Sequence, residues 1–321
     1  MLRRTMISAI GGAPAVLATM SGTTARADGT GPQLASYYDR HMALVDGVAH
    51  GWTGRDQPQR LRDGVRQVGV GEHSYHALLD NGRLLRWGDG PGGVPGPVTM
   101  LMTGVSAFAC GRSGWFAIDS AGVLWHGGGS EAGGQAQAQA QAQPPVQRIA
   151  DDVVDACIGD GADYYIRRDG TLWVRGLAHR GQYGDGRLCA STGYVTTAAD
   201  ALAVRAHTGH AIYLSRDGVV MGTGGNRFGP LGKHGLGDKA DRWGRVFDGA
   251  RAIATGSRHS LAIRADRTLW AWGEGFGIEP RRLLDDVVAA AAGNTATLAL
   301  RADGSLVAWD GSSGPHLLRL A

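Results

Sequence analysis

The stretch GSRHSLAIRADRTLWAWGEG, residues 256–275, sets the reading of the whole chain. Gly256 opens it and Ala262-Ile263 follow. A turn comes at Asp266-Arg267, then Leu269, then Trp272-Gly273. The same order recurs from Gly71, with Ala77-Leu78, Asn81-Gly82, Leu84 and Trp87-Gly88, and from Gly293, with Ala299-Leu300, Asp303-Gly304, Leu306 and Trp309. Weaker copies open at Gly111 and Gly159. A copy at His207 lacks the glycine, and an irregular one runs from Tyr37 to Gly54 with its turn at Asp46-Gly47. Asp-Gly or Asn-Gly between apolar runs is a hairpin signal. The turn positions Gly47, Gly82, Gly122, Gly170, Gly218, Arg267 and Gly304 are 35, 40, 48, 48, 49 and 37 residues apart. A period of that size marks a solenoid, a propeller or an array.

Two more strands belong to each unit. Apolar residues such as Val65 and Val68, or Val287 and Ala290, precede the opening position. A Pro-led apolar piece stands earlier still, as at Pro97-Val98 and Pro145-Val146. Four short strands per unit and seven units predict an all-β, seven-bladed β-propeller. The last Pro-led piece, Pro315–Leu318, has no eighth unit after it. It is expected to pair with the first unit, so that the N- and C-terminal segments close the ring and leave no open edge.

Composition agrees. Glycine occurs 53 times in 321 residues, which suits tight turns and disfavours long helices. Cys110, Cys157 and Cys189 are too few for a disulfide scaffold. They are either lone thiols or leave room for one bridge, Cys110–Cys157. Arg3 and Arg4 precede a mild apolar run, and Ala25-Arg26-Ala27 has the A-x-A form of a cleavage site, so 1–27 reads as a cleavable export signal, with a possible twin-arginine route. Export would place the mature chain in the periplasm or outside the cell. The expected order is then a lead-in over 28–36 and the propeller over 37–321, with a Gln-Ala-rich loop insertion at 132–145. The leader carries Arg3, Arg4 and Arg26 and no acid. These are as many charges as the formal net charge of +3, so residues 28–321 are neutral overall. A neutral ring is a poor nucleic-acid binder, and the apolar run Met6–Met20 is too short and too rich in Gly and Ala to be a membrane span. A monomer that binds another protein is expected, with no membrane insertion.

The repeats resemble the regulator of chromosome condensation repeat. The stretches at 256–275, 71–90 and 293–311 carry the likeness. So do Gly181-Gln182-Tyr183-Gly184-Asp185-Gly186 and Gly225-Asn226-Arg227-Phe228-Gly229-Pro230-Leu231-Gly232. The resemblance covers roughly 37–321 and implies a seven-bladed propeller. The family's founder binds chromatin and exchanges nucleotide on a small GTPase, whereas one exported bacterial group inhibits β-lactamases through a loop-covered face. Three alternatives therefore stand beside plain protein binding. They are inhibition of a β-lactamase or transpeptidase-like enzyme, a secreted effector acting on a small GTPase, and a glycan-active enzyme using Glu72, Asp160 and Asp163. Fold alone does not choose among them.

In an antiparallel blade alternate connections emerge on opposite faces. The segments after the opening positions and the longer segments after Trp-Gly should share one face, with the Asp-Gly turns on the other. On the first face Tyr75, Trp115, Tyr164, Arg227, Phe228 and Arg258 are the candidate partner-binding residues, since aromatics and Arg on loops of a rigid frame make hot spots. Trp52, Trp87, Trp272 and Trp309 read as inter-blade packing. Asp46, Asp169, Asp217, Asp266 and Asp303 read as turn formers. His73-x-x-His76 and His207-x-x-His210 fall out of phase with each other and lack partners at a metal-site spacing. The Gly-rich run Gly88–Gly93 matches a dinucleotide pattern by chance, with no helix following. No catalytic residue, metal or cofactor is expected.

Overall fold

Residues 24–25, 31–89, 95–112, 114–128, 146–234, 237–310 and 314–320 are described by a computed structural model. They contain no helix and form seven antiparallel sheets, six of four strands and the last blade of five with Thr24–Ala25. The sixth blade shows the rule: Ala250–Thr255, His259–Arg264, Leu269–Gly273 and Gly277–Leu284 follow one another in sequence and in the sheet. First strands of successive blades lie against each other around the axis, and the Pro-led pieces are the outer, fourth strands. The expected leader, apart from 24–25, and the Gln-Ala insertion lie outside the described residues.

The first blade begins at Gln33, not at Tyr37, because Gln33–Tyr37 is its inner strand. Its turn also explains its irregular spacing. Val45 and Val48 are joined by the two residues Asp46 and Gly47, both at positive φ (50° and 76°), a type I′ hairpin. In the second blade Gly82 N–H donates to Leu79 O, and Leu79 N–H to Arg83 O, which closes a loop one residue longer with Gly82 at φ 77°. In the sixth blade Arg267 occupies that position at φ 66°.

The opening glycines are required by crowding at the axis. A Cβ on Gly256 would stand 2.4 Å from the Gly293 carbonyl oxygen, and one on Gly293 would stand 2.5 Å from that of Tyr38. Each inner strand thus ends against the next blade's backbone. On the opposite face six of the hairpin turns grip their successors. Val65 N–H donates to Gly47 O (3.0 Å), Val105 to Gly82 (3.0 Å), Val153 to Gly122 (2.9 Å), Ala201 to Gly170 (3.0 Å), Ala250 to Gly218 (2.9 Å) and Val287 to Arg267 (2.9 Å).

Between these two rims lies the core, one apolar cluster at each junction of neighbouring blades. The cluster of Leu34, Ala43 and Trp52 with Ala289, Leu298, Leu300 and Leu306 joins the last blade to the first and closes the ring. The closing strand differs from expectation. His316–Leu318 pairs with Leu306–Asp310 in its own blade, because the first blade's outer place is already held by Gln59–Arg62. From the N-terminal side Thr24–Ala25 pairs with the last blade's inner strand. Trp52, Trp87 and Trp272 are buried at junctions, and Trp272 donates to Pro230 O (2.7 Å). Cys110 and Cys157 are buried, unbridged thiols on the inner strands of consecutive blades, so the Cys110–Cys157 bridge is not formed.

Polar side chains also bridge inner strands. Gln33 donates to Arg66 O (2.8 Å) and accepts from Val68 N–H (3.4 Å), and Gln67 does the same with Phe108 (2.7 and 3.1 Å). Asp155 holds this position in the fourth blade, accepting from Val204 N–H (2.7 Å) and from Arg205 (2.9 Å). Both charges are sealed, at 0% and 2% exposure. Burial raises the Asp155 pKa, although Arg205 opposes the rise. Removing one partner of a buried pair costs about 3–5 kcal/mol, whereas replacing both is often neutral. Arg205→Ala should therefore destabilise by about that amount. The double change Asp155→Gln/Arg205→Ala should recover most of it, because Gln fills the equivalent site in the first two blades and Ala stands at the Arg205 position in others. Urea denaturation checks this. A double variant no more stable than Arg205→Ala alone would contradict it.

Candidate functional site

Chain alternation places the connections between first and second strands on one face, together with those between third and fourth strands. The former converge on the axis. Glycine occupies the opening position in five blades, and Tyr37 and His207 take it in the other two. These two side chains fill the space the glycines leave. Their rings stack with centroids 4.8 Å apart, 22° from parallel. Tyr37 reaches across the ring to donate its hydroxyl proton to Asp160, and burial with the carboxylate beside it raises the Tyr37 pKa. Tyr38 (3.3 Å) and Thr208 (3.2 Å) also donate to Asp160. Thr208 Oγ1 lies 3.2 Å from Ser257 Oγ, and His207 Nδ1 lies 2.8 Å from Thr208 and 3.3 Å from Ser257.

Ser257, His207 and Asp160 are the residue types of a hydrolytic triad, but their connections are not those of one. Asp160 binds hydroxyls rather than the imidazole, and His207 Nε2 has no hydrogen-bond partner among the described residues. No carboxylate orients the base. The carboxylates considered for glycan chemistry are likewise engaged separately. Glu72 pairs with Arg112 (3.2 Å) and Asp163 with Arg175 (3.3 Å), burial raising Asp163 to about 6.

Outward of this plug lies a cleft of about 610 Å³. Tyr38, Thr208, Ser257, Arg258 and Asn294 line it from the axial loops, and Arg180, Arg227, Phe228, Pro230, Asp238 and Lys239 from the longer ones. Phe228 is 38% exposed, with the Arg258 guanidinium 4.4 Å from its ring centroid and that of Arg227 at 5.7 Å. Glu274 holds Arg258 from the other side at 3.1 Å through both oxygens. Arg180 crosses from the fourth blade over Gly209 and Gly225. A Cβ at 209 would stand 3.0 Å from Arg180 Cδ, so glycine there makes room for the arginine.

Of the six candidate residues, the structure brings together Arg227, Phe228 and Arg258. Tyr75, Trp115 and Tyr164 are buried at 4%, 5% and 1% exposure, and are withdrawn as contact residues. They pack at blade junctions, with the Tyr75 ring stacked on Trp87 and the Tyr164 hydroxyl donating to Gln182 O (2.9 Å). Their strand positions point inward between blades, which loop placement alone did not reveal. Sequence reasoning missed Arg180 and Lys239. Arg180 stands directly before the Gly181–Gly186 segment, whose only signal in the sequence is its likeness to the repeat.

The histidines are tied into the frame. His210 Nε2 lies 3.1 Å from Ser260 Oγ, and His259 Nε2 lies 2.9 Å from Thr297 Oγ1, each on the next blade. His41 Nδ1 lies 2.9 Å from Ser36 Oγ. No group of three metal-ligating side chains occurs among the described residues. Burial depresses His41 to about 4 and His76, His210 and His259 to about 3. The unfolded chain takes protons on these rings below about 6.5, while the folded chain stays neutral until about 4 to 3. Their contribution to stability is therefore complete above pH 6.5 and is lost progressively as pH falls from there. Denaturant midpoints measured from pH 7 to pH 4 should drop steadily, and His210→Gln with His259→Gln should flatten the slope. A midpoint unchanged down to pH 4 would contradict the assignment.

Among the described residues no helix is long and apolar enough to cross a membrane. Residues 250–276, three strands of the sixth blade, match the family model of the regulator of chromosome condensation (RCC1) repeat. A secretion-regulating guanine nucleotide exchange factor of Bos taurus is 29% identical over 182 residues, covering 52% of this chain. The match spans only 39% of that protein. Among solved structures, Prp20p of Saccharomyces cerevisiae, described with its binding to Gsp1p and histones, aligns with a TM-score of 0.67 at 15% identity over 90% of this chain and 83% of its own. Human WBSCR16 aligns with a TM-score of 0.67 at 16% identity, over 84% and 86%. At these identities the structural likeness concerns the fold.

Proposed function

We propose that this chain, a seven-bladed propeller carrying the regulator of chromosome condensation repeat, is a non-catalytic protein-binding ring that docks its partner on the loop-rich face. The observation that carries the reading is the Arg227–Phe228–Arg258 cluster at the edge of the cleft. An exposed aromatic flanked by guanidiniums is the make-up of an interface hot spot. Arg258 is already held between Phe228 and Glu274, so docking immobilises little. The two faces also differ in saturation. On the hairpin face Arg60–Asp63, Arg148–Asp151, Arg245–Asp248 and Arg282–Asp285 pair locally at 2.5–2.6 Å. On the loop face Arg180, Arg227 and Lys239 have no acidic partner among the described residues.

The leader expected over 1–27 makes the partner an envelope or extracellular protein. Acceleration of nucleotide release from a small GTPase is a second reading, favoured by the name of the bovine relative. Affinity capture from cell-envelope extract tests the main one. Phe228→Ala and Arg258→Ala should each lower recovery of the specific partner about tenfold, the equivalent of 1.4 kcal/mol, with little change in stability. Tyr75→Ala should instead destabilise the ring by about 3–5 kcal/mol. Undiminished capture by both Phe228→Ala and Arg258→Ala would overturn the docking face.

A further inference from the structure

Resting on that docking reading, we infer that the cleft receives an acidic segment of the partner protein, with an apolar side chain seated against Phe228. The cleft's charge is lopsided. Arg180, Arg227 and Lys239 line it against one carboxylate, Asp238, while the fourth cation, Arg258, is already paired with Glu274. Nearby acids are already engaged: Glu274 by Arg258, Glu72 by Arg112, and Asp160 by Tyr37, Tyr38 and Thr208. Residues 28–321 carry no net charge, so this excess is local and not a property of the ring as a whole.

The geometry favours an extended acidic chain over one small anion. The cations arise on different loops. Arg180 comes from the fourth blade, Arg227 and Lys239 from the fifth, and Arg258 from the sixth. Guanidinium forks suit carboxylates, which they can bind through two parallel hydrogen bonds. The apolar wall is real as well. Phe228, 38% exposed, and Pro230 line the cleft, and Ile278, 52% exposed, lies outside that lining. Gly229, next to Phe228, lies against Ile278, since a Cβ there would stand 2.9 Å from Ile278 Cγ2. Thr208, Ser257 and Asn294 add hydrogen-bonding groups to the lining. An acidic segment with one large apolar residue matches this combination, and the cations speed its approach at low salt.

The test uses the full purified chain and two labelled peptides of equal length. One is rich in Glu and Asp and contains a single Phe. The other has Lys at every acidic position. Fluorescence anisotropy at low and high salt should show binding of the acidic peptide only, weakened by salt. Arg180→Glu and Arg227→Glu should each reduce it about tenfold or more, and Phe228→Ala should reduce it without altering the salt dependence. Equal binding of both peptides, no binding of either, or indifference to the charge reversals would overturn the inference. So would displacement of the acidic peptide by inorganic phosphate at equal concentration, which would indicate a small-anion site. Failure of the docking reading is distinguishable. Envelope capture lost in Phe228→Ala but kept in Arg180→Glu and Arg227→Glu removes the acidic segment and leaves the docking face. Capture kept in all three removes both.

Discussion

A single backbone contact, repeated around the ring, conditions the rest of the molecule. At six of the blade junctions the carbonyl at the hairpin turn accepts the first N–H of the next blade's inner strand, as Gly218 does from Ala250 and Arg267 from Val287. A four-stranded blade cannot bury both its faces alone. It needs a neighbour at a fixed height and angle, and this bond sets the height. The residue at the turn must then accept a positive φ, which glycine does freely and Arg267 does at a steric cost. At the axial rim close approach imposes glycine for the opposite reason, since a Cβ at 256 or 293 would strike the next backbone.

These two rims divide the labour of the faces. The hairpin face is committed to joining blades, and its charges are paired locally over three residues. Exposed pairs of that kind add little to stability, but they leave the face balanced. The other face carries the long connections, whose lengths the ring does not constrain. Two of the seven axial openings give up glycine, and their occupants, Tyr37 and His207, stack and close the mouth through Asp160. The mouth is thereby plugged, and the cleft cations Arg180, Arg227 and Lys239 stand outside the plug on the fourth and fifth blades.

The fold was legible because its determinants are local and periodic. Glycine spacing, hairpin turns and the recurring Trp each report one blade. Legibility failed where a determinant lay between blades. The inner strand Gln33–Tyr37 opens without glycine, so the first blade's start was placed too late. The terminal strand His316–Leu318 looked free to pair across the closure, yet its own blade lacked a fourth strand. Of the site, Arg227, Phe228 and Arg258 were found because loop residues on one face share a phase in the repeat. Tyr75, Trp115 and Tyr164 share that phase approximately, but each lies on a strand whose side chains turn into a junction. Arg180 was missed because its reach depends on glycines 209 and 225 of another blade, a relation that no spacing along the chain displays.

The central claim is that one face binds while the other holds the ring together. Hydrogen–deuterium exchange, comparing the free ring with the ring bound to its native partner, tests this most directly. New protection should fall on the connections carrying Arg180, Arg227-Phe228 and Ser257-Arg258, with the turns at Gly82, Gly122 and Gly170 unchanged. Protection confined to those turns, with none at the cleft, would contradict the account.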